Sequence, residues 1–398
     1  MKVVTVNWVN KIYSTGKIIS SIEKYAQKRN IEFLHCYEWG DKPINKNEYQ
    51  ITPALLYKFI YMISLVTGCR YGTGFITTYS LCKKISEFNP DIVHIHCPNA
   101  RSINIYMLLY YLKKKRYCTV ITNHAEFFFT GNCAHAFECE GYSSGCKLCG
   151  NLRNAEVHFR IQARRAWKKM YDAIRDNERI TMVMVSPWAK KRAEKSPIFS
   201  GKDIRVIGNG IDTSIFRPNE YKENSQKSVI HVTSNFSDDI NDSKGGRYII
   251  ELAELLGDIN FVVVGVVGKI QTKIPPNMIL KGEIKNQYEL AKLYSMADVG
   301  VMVSRRETFG MTYVESMCCG TPVVGFKNGG TESIALEEYS EFVEYGDVET
   351  LAKTIENWID RKANLKEKLA KEAHARYSEQ KMSEQYINLY YEVNDKLL

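Results

Sequence analysis

The chain has 398 residues, of which 44% are hydrophobic and 25% charged, and its formal net charge is +9. This length is too great for one ordinary α/β core and predicts two domains. The composition is that of an ordinary globular protein. No stretch reaches the ~20 consecutive apolar residues of a membrane span. The positive charge permits an anionic partner: nucleic acid, a nucleotide or an acidic membrane surface. The eleven cysteines are dispersed and odd in number, so we expect a reduced, cytoplasmic protein.

Strand-like and helix-like segments alternate along the first half of the chain, which favours a parallel sheet with helices on both faces. The predicted strands are Val3–Val6, Ile92–Ile95, Cys118–Ile121 and Met182–Val185, and the predicted helices are Lys17–Arg29, Thr77–Glu87, Ile103–Lys114 and a long one near Arg153–Arg175.

The second half repeats the alternation. Its predicted strands are Val229–Val232, Phe261–Val264, Val299–Val303 and Val323–Phe326, and its predicted helices are Gly246–Leu256, Gln287–Ser295, Thr312–Cys319 and Asp347–Arg361. Between the halves, Ile207–Pro218 is rich in Gly, Asn and Asp and predicts the domain boundary, followed by an exposed loop over Asn219–Lys227. Apolar residues at helical spacing predict an amphipathic helix over Tyr377–Leu398.

The segment RRETFGMTYVESMCCGTPVVGF carries the strongest functional signal in the chain. Its apolar run Val299–Val303 predicts a buried strand, and a polar loop ends in Phe309-Gly310 at the start of a helix. Open α/β sheets bind ligands at the carboxyl ends of their strands, and free N–H groups at a helix N-terminus attract phosphate. Glu307 lies in the loop and Glu315 inside the helix, so we expect them to face different parts of one ligand, although either glutamate alone would fit a solvated acid.

Two glutamates at this spacing, with TFG after the first and GTPVV after the helix, resemble the E-x7-E signature of retaining nucleotide-sugar glycosyltransferases of family 4 (glycosyltransferase group 1). The resemblance covers nearly the entire chain and implies an α/β GT-B fold, in which two Rossmann-like parallel-sheet domains face a central cleft. Residues 1–206 would bind the acceptor, residues 207–376 would bind the nucleotide-sugar donor, and residues 377–398 would form a helix that packs back on the first domain.

The resemblance also implies donor-side roles. Glu307 would contact the sugar hydroxyls beside the anomeric carbon, and Glu315 would accept hydrogen bonds from the ribose. The backbone groups of Phe309, Gly310 and Met311 would bind sugar and phosphate.

The diphosphate is expected at Lys244, at a predicted helix start. The family has an arginine several residues before this lysine, whereas this chain has Asn235 in that region. We therefore expect the diphosphate to depend on Lys244, Asn235 and the amides around Gly310. By itself, Lys244 would fit an ordinary surface lysine.

On the acceptor side, the resemblance implies that His124, after the strand Cys118–Ile121, points at the reaction centre. Glu126 is then expected to contact the acceptor. Gly16 and Lys17 belong to YSTGK, interpreted as a loop after the first strand in which Gly16 allows a close approach to donor phosphate and acceptor. A strand-end histidine is also often a satisfied structural residue.

Retention of the anomeric configuration is expected to proceed by front-face substitution, in which the leaving phosphate helps to deprotonate the acceptor hydroxyl. A double displacement would need a carboxylate beneath the anomeric carbon, and Glu307 is expected beside it. No catalytic metal is expected, because GT-B enzymes usually work without one. The acidic residues Asp238, Asp239 and Asp242 are therefore interpreted as part of a polar loop.

Four cysteines lie within seventeen residues of a predicted insert over residues 130–150. In a reduced compartment such a cluster with a terminal C-x2-C predicts a structural zinc site, in which His135 would be able to replace one thiol. Unpaired cysteines or a disulfide are the alternatives. A subset of polysaccharide glycosyltransferases carries a similar insert. The cluster consists of Cys133, Cys139, Cys146 and Cys149.

Basic and aromatic residues are clustered in Leu108–Tyr117 and Arg160–Tyr171, where a charged helix face in water is one interpretation and docking on anionic lipid, helped by Ala54–Val66, is another. We find no nucleic-acid-binding motif. The sequence thus predicts a retaining transferase that uses a nucleotide-diphosphate sugar, with a UDP-sugar favoured over GDP-mannose, and a glycan or lipid-linked acceptor in bacterial surface polysaccharide synthesis, in the cytoplasm or peripherally on the inner face of the membrane. A nucleotide-sugar epimerase of the same fold and a non-catalytic, zinc-bearing partner of another transferase are the alternatives.

Overall fold

A computed structural model describes residues 1–219, 226–361 and 365–395 of the chain. Most of the predicted loop Asn219–Lys227 and the last three residues of the predicted C-terminal segment lie outside these ranges. Within them, no helix has both the length and the apolarity that crossing a membrane requires. The chain divides into two compact units, Met1–Gly208 with Met382–Leu398 and Asn209–Lys381, so that one break falls inside the predicted boundary segment.

The first unit contains a sheet of seven described strands, all parallel, in the order β3-β2-β1-β4-β5-β6-β7. The strands are β1 (Lys2–Val9), β2 (Glu32–Trp39), β3 (Glu48–Gln50), β4 (Ile92–Ile95), β5 (Cys118–Asn123), β6 (Ile180–Met184) and β7 (Asp203–Val206). The helices are α1 (Tyr13–Gln27), α2 (Ala54–Thr67), α3 (Phe75–Phe88), α4 (Ile105–Lys115), α5 (Phe127–Thr130), α6 (Arg160–Ile174) and α7 (Pro187–Ala193). Every residue of β4 and β5 is buried, as expected for central strands covered on both faces.

The second unit contains a sheet of six described parallel strands in the order β10-β9-β8-β11-β12-β13. The strands are β8 (Ser228–Phe236), β9 (Asn260–Val267), β10 (Met278–Gly282), β11 (Val299–Met302), β12 (Val323–Phe326) and β13 (Ser340–Val343). The helices are α8 (Gly246–Leu255), α9 (Gln287–Met296), α10 (Met311–Cys318), α11 (Gly330–Ile334), α12 (Val348–Ile359) and α13 (Lys366–Tyr377). The prediction of an α/β protein with two parallel sheets is confirmed.

Both sheets reverse their strand order at one place. In the first unit the chain starts at β1, adds β2 and β3 on one side, and then crosses to β4 on the other side; in the second unit β8 and β11 are the corresponding neighbours. Loops that leave the carboxyl ends of two such strands diverge and leave a crevice, where ligands bind in open α/β sheets. Ligand-binding residues are therefore expected in the segments that follow β1, β4, β8 and β11.

The last helix, α14 (Glu379–Asp395), belongs to the first unit from Met382 onward. Within that unit, Tyr390 Oη lies 2.6 Å from His94 Nδ1, and Tyr386 Oη lies 3.1 Å from Thr122 Oγ1. Both tyrosines are fully buried. The C-terminal helix is thus part of the core that covers the central strands.

Two local predictions about the first unit are wrong. The segment Tyr13–Lys17 is the first turn of α1 and not a loop. The long helix predicted near Arg153–Arg175 begins only at Arg160, because the residues before it form turns that lie beside the cysteine-rich insert.

Candidate active site

The polar residues after β8 and β11 meet in the second unit. Lys244 follows β8 and Glu307 follows β11, and these strands are neighbours at the point where the strand order reverses. Lys244 Nζ lies 2.7 Å from Glu307 Oε1, and both side chains are partly exposed. The crevice therefore presents a cation and an anion side by side, at the place where the fold predicts a ligand.

Lys244 is held by a tightly packed loop. Its N–H donates to Asp242 Oδ1 at 3.0 Å, and Asn235 Nδ2 donates to the other oxygen of the same carboxylate at 3.3 Å. The next residue, Gly245, has a φ of +73°, and a Cβ there would lie 2.5 Å from the carbonyl oxygen of Val303. Glycine is therefore required where this loop presses against the segment that follows β11.

The backbone of Glu307 is fixed by the segment that follows β12. Its N–H donates to Asn328 O at 3.3 Å, and its carbonyl accepts from Gly330 N–H at 2.9 Å. The carboxylate of Glu332 accepts from the N–H groups of Asn328 and Gly329, at 3.0 and 2.7 Å. The position of Glu307 thus depends on the two loops that follow β8 and β12, which suits a group that must be placed accurately in a crevice.

The turn between Glu307 and α10 is also closely packed. Gly310 has a φ of +95° and precedes the helix, and a Cβ there would lie 2.5 Å from Thr331 Oγ1. Phe309 is buried, while Met311 is partly exposed at the first helical position. The sequence Phe309-Gly310-Met311 therefore brings the N-terminus of α10 to the same side of the sheet as Glu307.

Glu315 lies one turn into α10 and is positioned by a tyrosine. Tyr294 of α9 donates its hydroxyl to Glu315 Oε2 at 2.9 Å. Burial and the adjacent carboxylate raise the pKa of Tyr294, so the hydroxyl stays protonated and remains a donor. The two glutamates of the motif accordingly have different partners: a lysine for Glu307 and a buried tyrosine for Glu315.

The acidic residues after β8 stabilise loops. Asp238 Oδ2 accepts from the N–H groups of Gln271 and Thr272, both at 2.7 Å, and these bonds hold the pKa of Asp238 below its usual value. Asp242 binds Lys244 N–H and Asn235 as described, and Asp239 Oδ1 accepts from the N–H of Asn241 at 2.9 Å. Each carboxylate has a local hydrogen-bonding role in this polar loop.

In the first unit, Gly16 lies in the first turn of α1 after β1. A Cβ there would lie 2.2 Å from the carbonyl oxygen of Asn10, so the helix start packs directly on the end of β1. Gly16 itself is buried and Lys17 is exposed. The requirement for glycine therefore comes from the chain's own backbone, which corrects the interpretation of an open glycine loop.

His124 takes part in a row of histidines that crosses the central strands. His124 Nε2 lies 3.2 Å from His96 Nδ1, and the ring of His96 lies 3.8 Å from that of His94, centroid to centroid. Burial lowers the pKa of His124 to about 4 and lowers those of His94 and His96 well below the usual value. His124 as a whole residue is partly exposed, and its ring is neutral near pH 7.

The prediction that Glu126 contacts an acceptor is wrong in this structure. Glu126 is fully buried, its Oε1 lies 2.6 Å from Arg192 Nε, and its Oε2 accepts from the N–H of Ala136. Its own N–H donates to Ala134 O at 2.9 Å. Both ends of the residue are used to attach the cysteine-rich insert to α7.

Two protein-family models match the chain: Glycosyltransferase Family 4 over residues 24–215 and Glycosyl transferases group 1 over residues 220–376. The chain belongs to the group 1 glycosyltransferases. The colanic acid biosynthesis glycosyl transferase WcaC of Escherichia coli K12 is 22% identical to this glycosyltransferase over 319 residues, which are 76% of each chain.

Solved structures agree on the architecture of the glycosyltransferase. Sucrose-phosphate synthase of Thermosynechococcus elongatus has a TM-score of 0.69 at 14% identity over 98% of both chains. Anabaena HepE in complex with UDP has a TM-score of 0.66 at 15% identity over 98% of this chain and 100% of HepE. At these identities the superpositions establish the GT-B fold alone, which confirms the predicted fold class.

The cysteine-rich insert of the glycosyltransferase brings its four thiols to one pocket. Cys133, Cys139, Cys146 and Cys149 line a small pocket beneath the start of α6, whereas His135 is exposed and does not line it. All four are free thiols. Within the described ranges, however, no three Cys, His, Asp or Glu side chains stand close enough to hold a metal ion.

Several residues that shape the site are not evident from the sequence motifs. Tyr294 of α9 donates to Glu315, and Glu332 of α11 fixes the segment after β12 that contacts the backbone of Glu307. His94 and His96 connect His124 to the core. The only signals were the Gly-Gly pair after β12 and the H-x-H pattern in and after β4. Such signals indicate close packing or buried polar groups without naming their partners.

Proposed function

We propose that this glycosyltransferase transfers a sugar from a nucleotide-diphosphate sugar, a UDP-sugar first, to a glycan or lipid-linked acceptor in bacterial surface polysaccharide biosynthesis, with retention of configuration. The observation that carries the proposal is the Lys244–Glu307 pair at the reversal point of the second sheet. The name of WcaC supports the polysaccharide context, and the UDP complex of HepE supports the choice of nucleotide.

The proposed donor site divides the ligand among three groups. Lys244, with Asn235 and the N-terminus of α10 at Gly310, binds the diphosphate, because an ammonium and free N–H groups stabilise phosphate charge. Glu315, oriented by Tyr294, accepts hydrogen bonds from the ribose. Glu307 binds the sugar hydroxyls beside the anomeric carbon. Lys244 then interacts with both the carboxylate of Glu307 and the donor phosphate.

The proposed reaction is a front-face substitution. The acceptor oxygen forms its bond to the anomeric carbon on the face from which the phosphate oxygen departs, and the acceptor proton passes to that phosphate oxygen. Lys244 stabilises the charge that develops on the diphosphate. Glu307 is engaged with Lys244 and serves to position the sugar, while the neutral His124 supplies a hydrogen bond without adding charge near the acceptor. No divalent ion enters this scheme.

A thermal-shift screen with UDP, GDP and their sugars, followed by a transfer assay, tests this proposal. We expect UDP and UDP-sugars to raise the melting temperature and GDP to leave it unchanged, and we expect the product to keep the anomeric configuration of the donor. A protein that binds no nucleotide diphosphate, or a product of inverted configuration, contradicts the proposal.

For the cysteine-rich insert we propose a structural zinc ion held by Cys133, Cys139, Cys146 and Cys149. The four thiols share one pocket. Burial together with the neighbouring thiols raises the pKa of Cys146 to about 12 and that of Cys133 further, which disfavours thiolates. A cation would reverse that preference, once the side chains turn toward the pocket.

Metal analysis of protein purified under reducing conditions, paired with thiol counting, tests the zinc proposal. One zinc per chain, with all four thiols protected from alkylation until a chelator is added, supports it. Substoichiometric metal with four reactive thiols, or disulfides between these cysteines, contradicts it.

A further inference from the structure

Helix α2 of the first unit exposes an apolar stripe. Its members follow one another at intervals of four, three and four residues, so they lie along one face of the helix. They are 84%, 56%, 55% and 75% exposed. We call them the α2 stripe, which consists of Leu55, Phe59, Met62 and Val66. Large apolar side chains in a contiguous exposed row mark an interaction surface.

The helix is attached to the unit by its other face. Of its fourteen residues, Ile60 and Ser64 are buried, and its single charged residue, Lys58, is exposed. The stripe therefore does not belong to the face of α2 that packs against the rest of the unit. It is an apolar surface displayed outward on a helix that carries no acidic residue.

The start of α6 continues this apolar surface. His158 Nε2 lies 2.8 Å from Leu65 O, and Gln162 Nε2 donates to Thr67 O at 2.9 Å, so the N-terminal end of α6 is fixed to the C-terminal end of α2. Phe159 and Ile161 are both exposed at this junction. Two helices thus contribute apolar side chains to one surface.

Positive charge surrounds the same junction. Helix α6 contains five basic residues and one acidic residue. An open pocket of about 160 Å³ at the end of α2 is lined by Arg70, Arg165 and Lys169 and by no acidic side chain. Although Arg70 is engaged with Glu156, Arg165 and Lys169 are exposed on α6. Anions would therefore be attracted to the border of the apolar surface.

This combination favours an anionic lipid surface over other occupants. A second copy of the chain would bring the same cations face to face, which is unfavourable, and nucleic acid would leave most of the apolar stripe in water. A bilayer interface supplies phosphates for the basic residues and an acyl boundary for the stripe at adjacent depths.

We propose that the α2 stripe and the N-terminal half of α6 dock the protein on an anionic membrane, with the stripe inserted at the acyl boundary and Arg165 and Lys169 on lipid phosphates. This inference rests on the proposed function, because a lipid-linked acceptor would be reached from such a surface. It also specifies which helices face the lipid, whereas the basic end of α4 (Lys113–Lys115) is not needed for it.

Sedimentation of the full-length protein with vesicles tests the proposal, using phosphatidylcholine alone and equal parts phosphatidylcholine and phosphatidylglycerol. We expect binding to the anionic vesicles that weakens with added salt and weak binding to the neutral ones. Leu55→Asp lowers the partition coefficient at least about tenfold because it removes inserted apolar surface. Arg165→Glu lowers it about tenfold.

Matched controls are available in the second unit. Leu255→Asp changes a leucine that is 58% exposed, and Lys273→Glu reverses an exposed charge; neither is expected to alter vesicle binding. Equal binding to neutral and anionic vesicles, equal losses in the controls, or a dimer in light scattering that Leu55→Asp dissociates would each overturn the proposal.

Donor hydrolysis measured without vesicles separates this inference from the proposed function. Leu55→Asp is expected to keep the hydrolysis rate and melting temperature of the wild type. Vesicle binding by a protein that turns over no nucleotide sugar would support docking and contradict the proposed function. Turnover by a protein that ignores anionic vesicles would do the reverse.

Discussion

The two units share one strand order but differ in the chemistry at its reversal point. After β8 and β11, the second unit places a lysine and a glutamate 2.7 Å apart and partly exposed to solvent. The first unit places the backbone-packed Gly16 after β1 and two neutral, fully buried histidines at β4, His94 within the strand and His96 just after it. A site for a diphosphate needs fixed charge, whereas a site that orients a hydroxyl is better served by neutral donors and acceptors. The roles proposed for the two units, donor binding in the second and acceptor positioning in the first, fit this difference.

The largest expected difference between the two units is in how much stability each loses when the pH is lowered. Burial lowers the pKa of four histidines in the first unit, while in the second unit His231 is the one described histidine so affected. A histidine whose pKa is lower in the folded state contributes stability that is complete above about pH 6.5 and is lost as the pH falls toward about 4. For His35, with a folded pKa of about 4, the loss amounts to about 3 kcal/mol. Glu38 opposes this trend, because burial raises its pKa to about 7.

Hydrogen exchange of the full-length protein near pH 7 and near pH 5 measures this difference, after correction for intrinsic rates. We expect protection in β4 and β5 to fall more than protection in β8 and β11. His35→Gln should reduce the acid sensitivity of the first unit. Equal loss of protection in both sheets contradicts the prediction.

The next largest effect concerns the insert of the first unit. Glu126→Ala leaves Arg192 buried without its carboxylate and should lower the free energy of unfolding by about 3–5 kcal/mol. Urea denaturation provides the measurement. Glu140, which lies in the same insert, forms an exposed ion pair with Lys195. Glu140→Ala should therefore change stability little. Similar values for both variants would show that the Glu126–Arg192 pair is not needed to hold the insert.

In the second unit the main effect should be on catalysis. Glu307→Gln keeps the shape of the side chain but loses the charge that holds Lys244, and we expect kcat to fall about 100-fold or more without loss of folding. Glu344→Gln, which weakens a surface pair with Lys327, is the control. Steady-state kinetics and intact mass address both points, since a covalent glycosyl-enzyme in the variant would contradict front-face substitution.

Much of the fold is predictable because its central strands are short apolar runs. Strand β4 has the predicted bounds Ile92–Ile95 because all four of its residues are buried. Strand β2 was missed because His35 and Glu38 interrupt its apolar pattern, although both are buried and hydrogen-bonded. Strand β10 was missed for a different reason: it lies at a sheet edge, where the half-exposed sequence MILKG resembles a loop.

The candidate active site is likewise only partly predictable from the sequence. The positions of Glu307 in a loop and Glu315 in a helix follow from local spacing, since one turn of helix separates Gly310 from Glu315. The Lys244–Glu307 contact joins residues 63 positions apart and depends on β8 and β11 being neighbours, which local patterns do not determine. The burial of Glu126 against Arg192 depends on the fold of the insert and α7. Local sequence does not show that contact, so the sequence wrongly predicts that Glu126 contacts the acceptor.

The smallest effect separates donor binding from catalysis within the second unit. Tyr294→Phe removes the hydroxyl that donates to Glu315 but keeps the ring in the core. A hydrogen bond to a charged group contributes about 1.5–3 kcal/mol, so we expect the Kd of the nucleotide diphosphate to rise about tenfold or more while kcat stays near the wild-type value. Calorimetry and steady-state kinetics measure the two quantities. Tyr288→Phe, on the exposed face of the same helix, should change neither. If Tyr294→Phe lowered kcat and left Kd unchanged, Glu315 would act on the reacting sugar and not on the ribose, and the division of tasks between the two motif glutamates would have to be reversed.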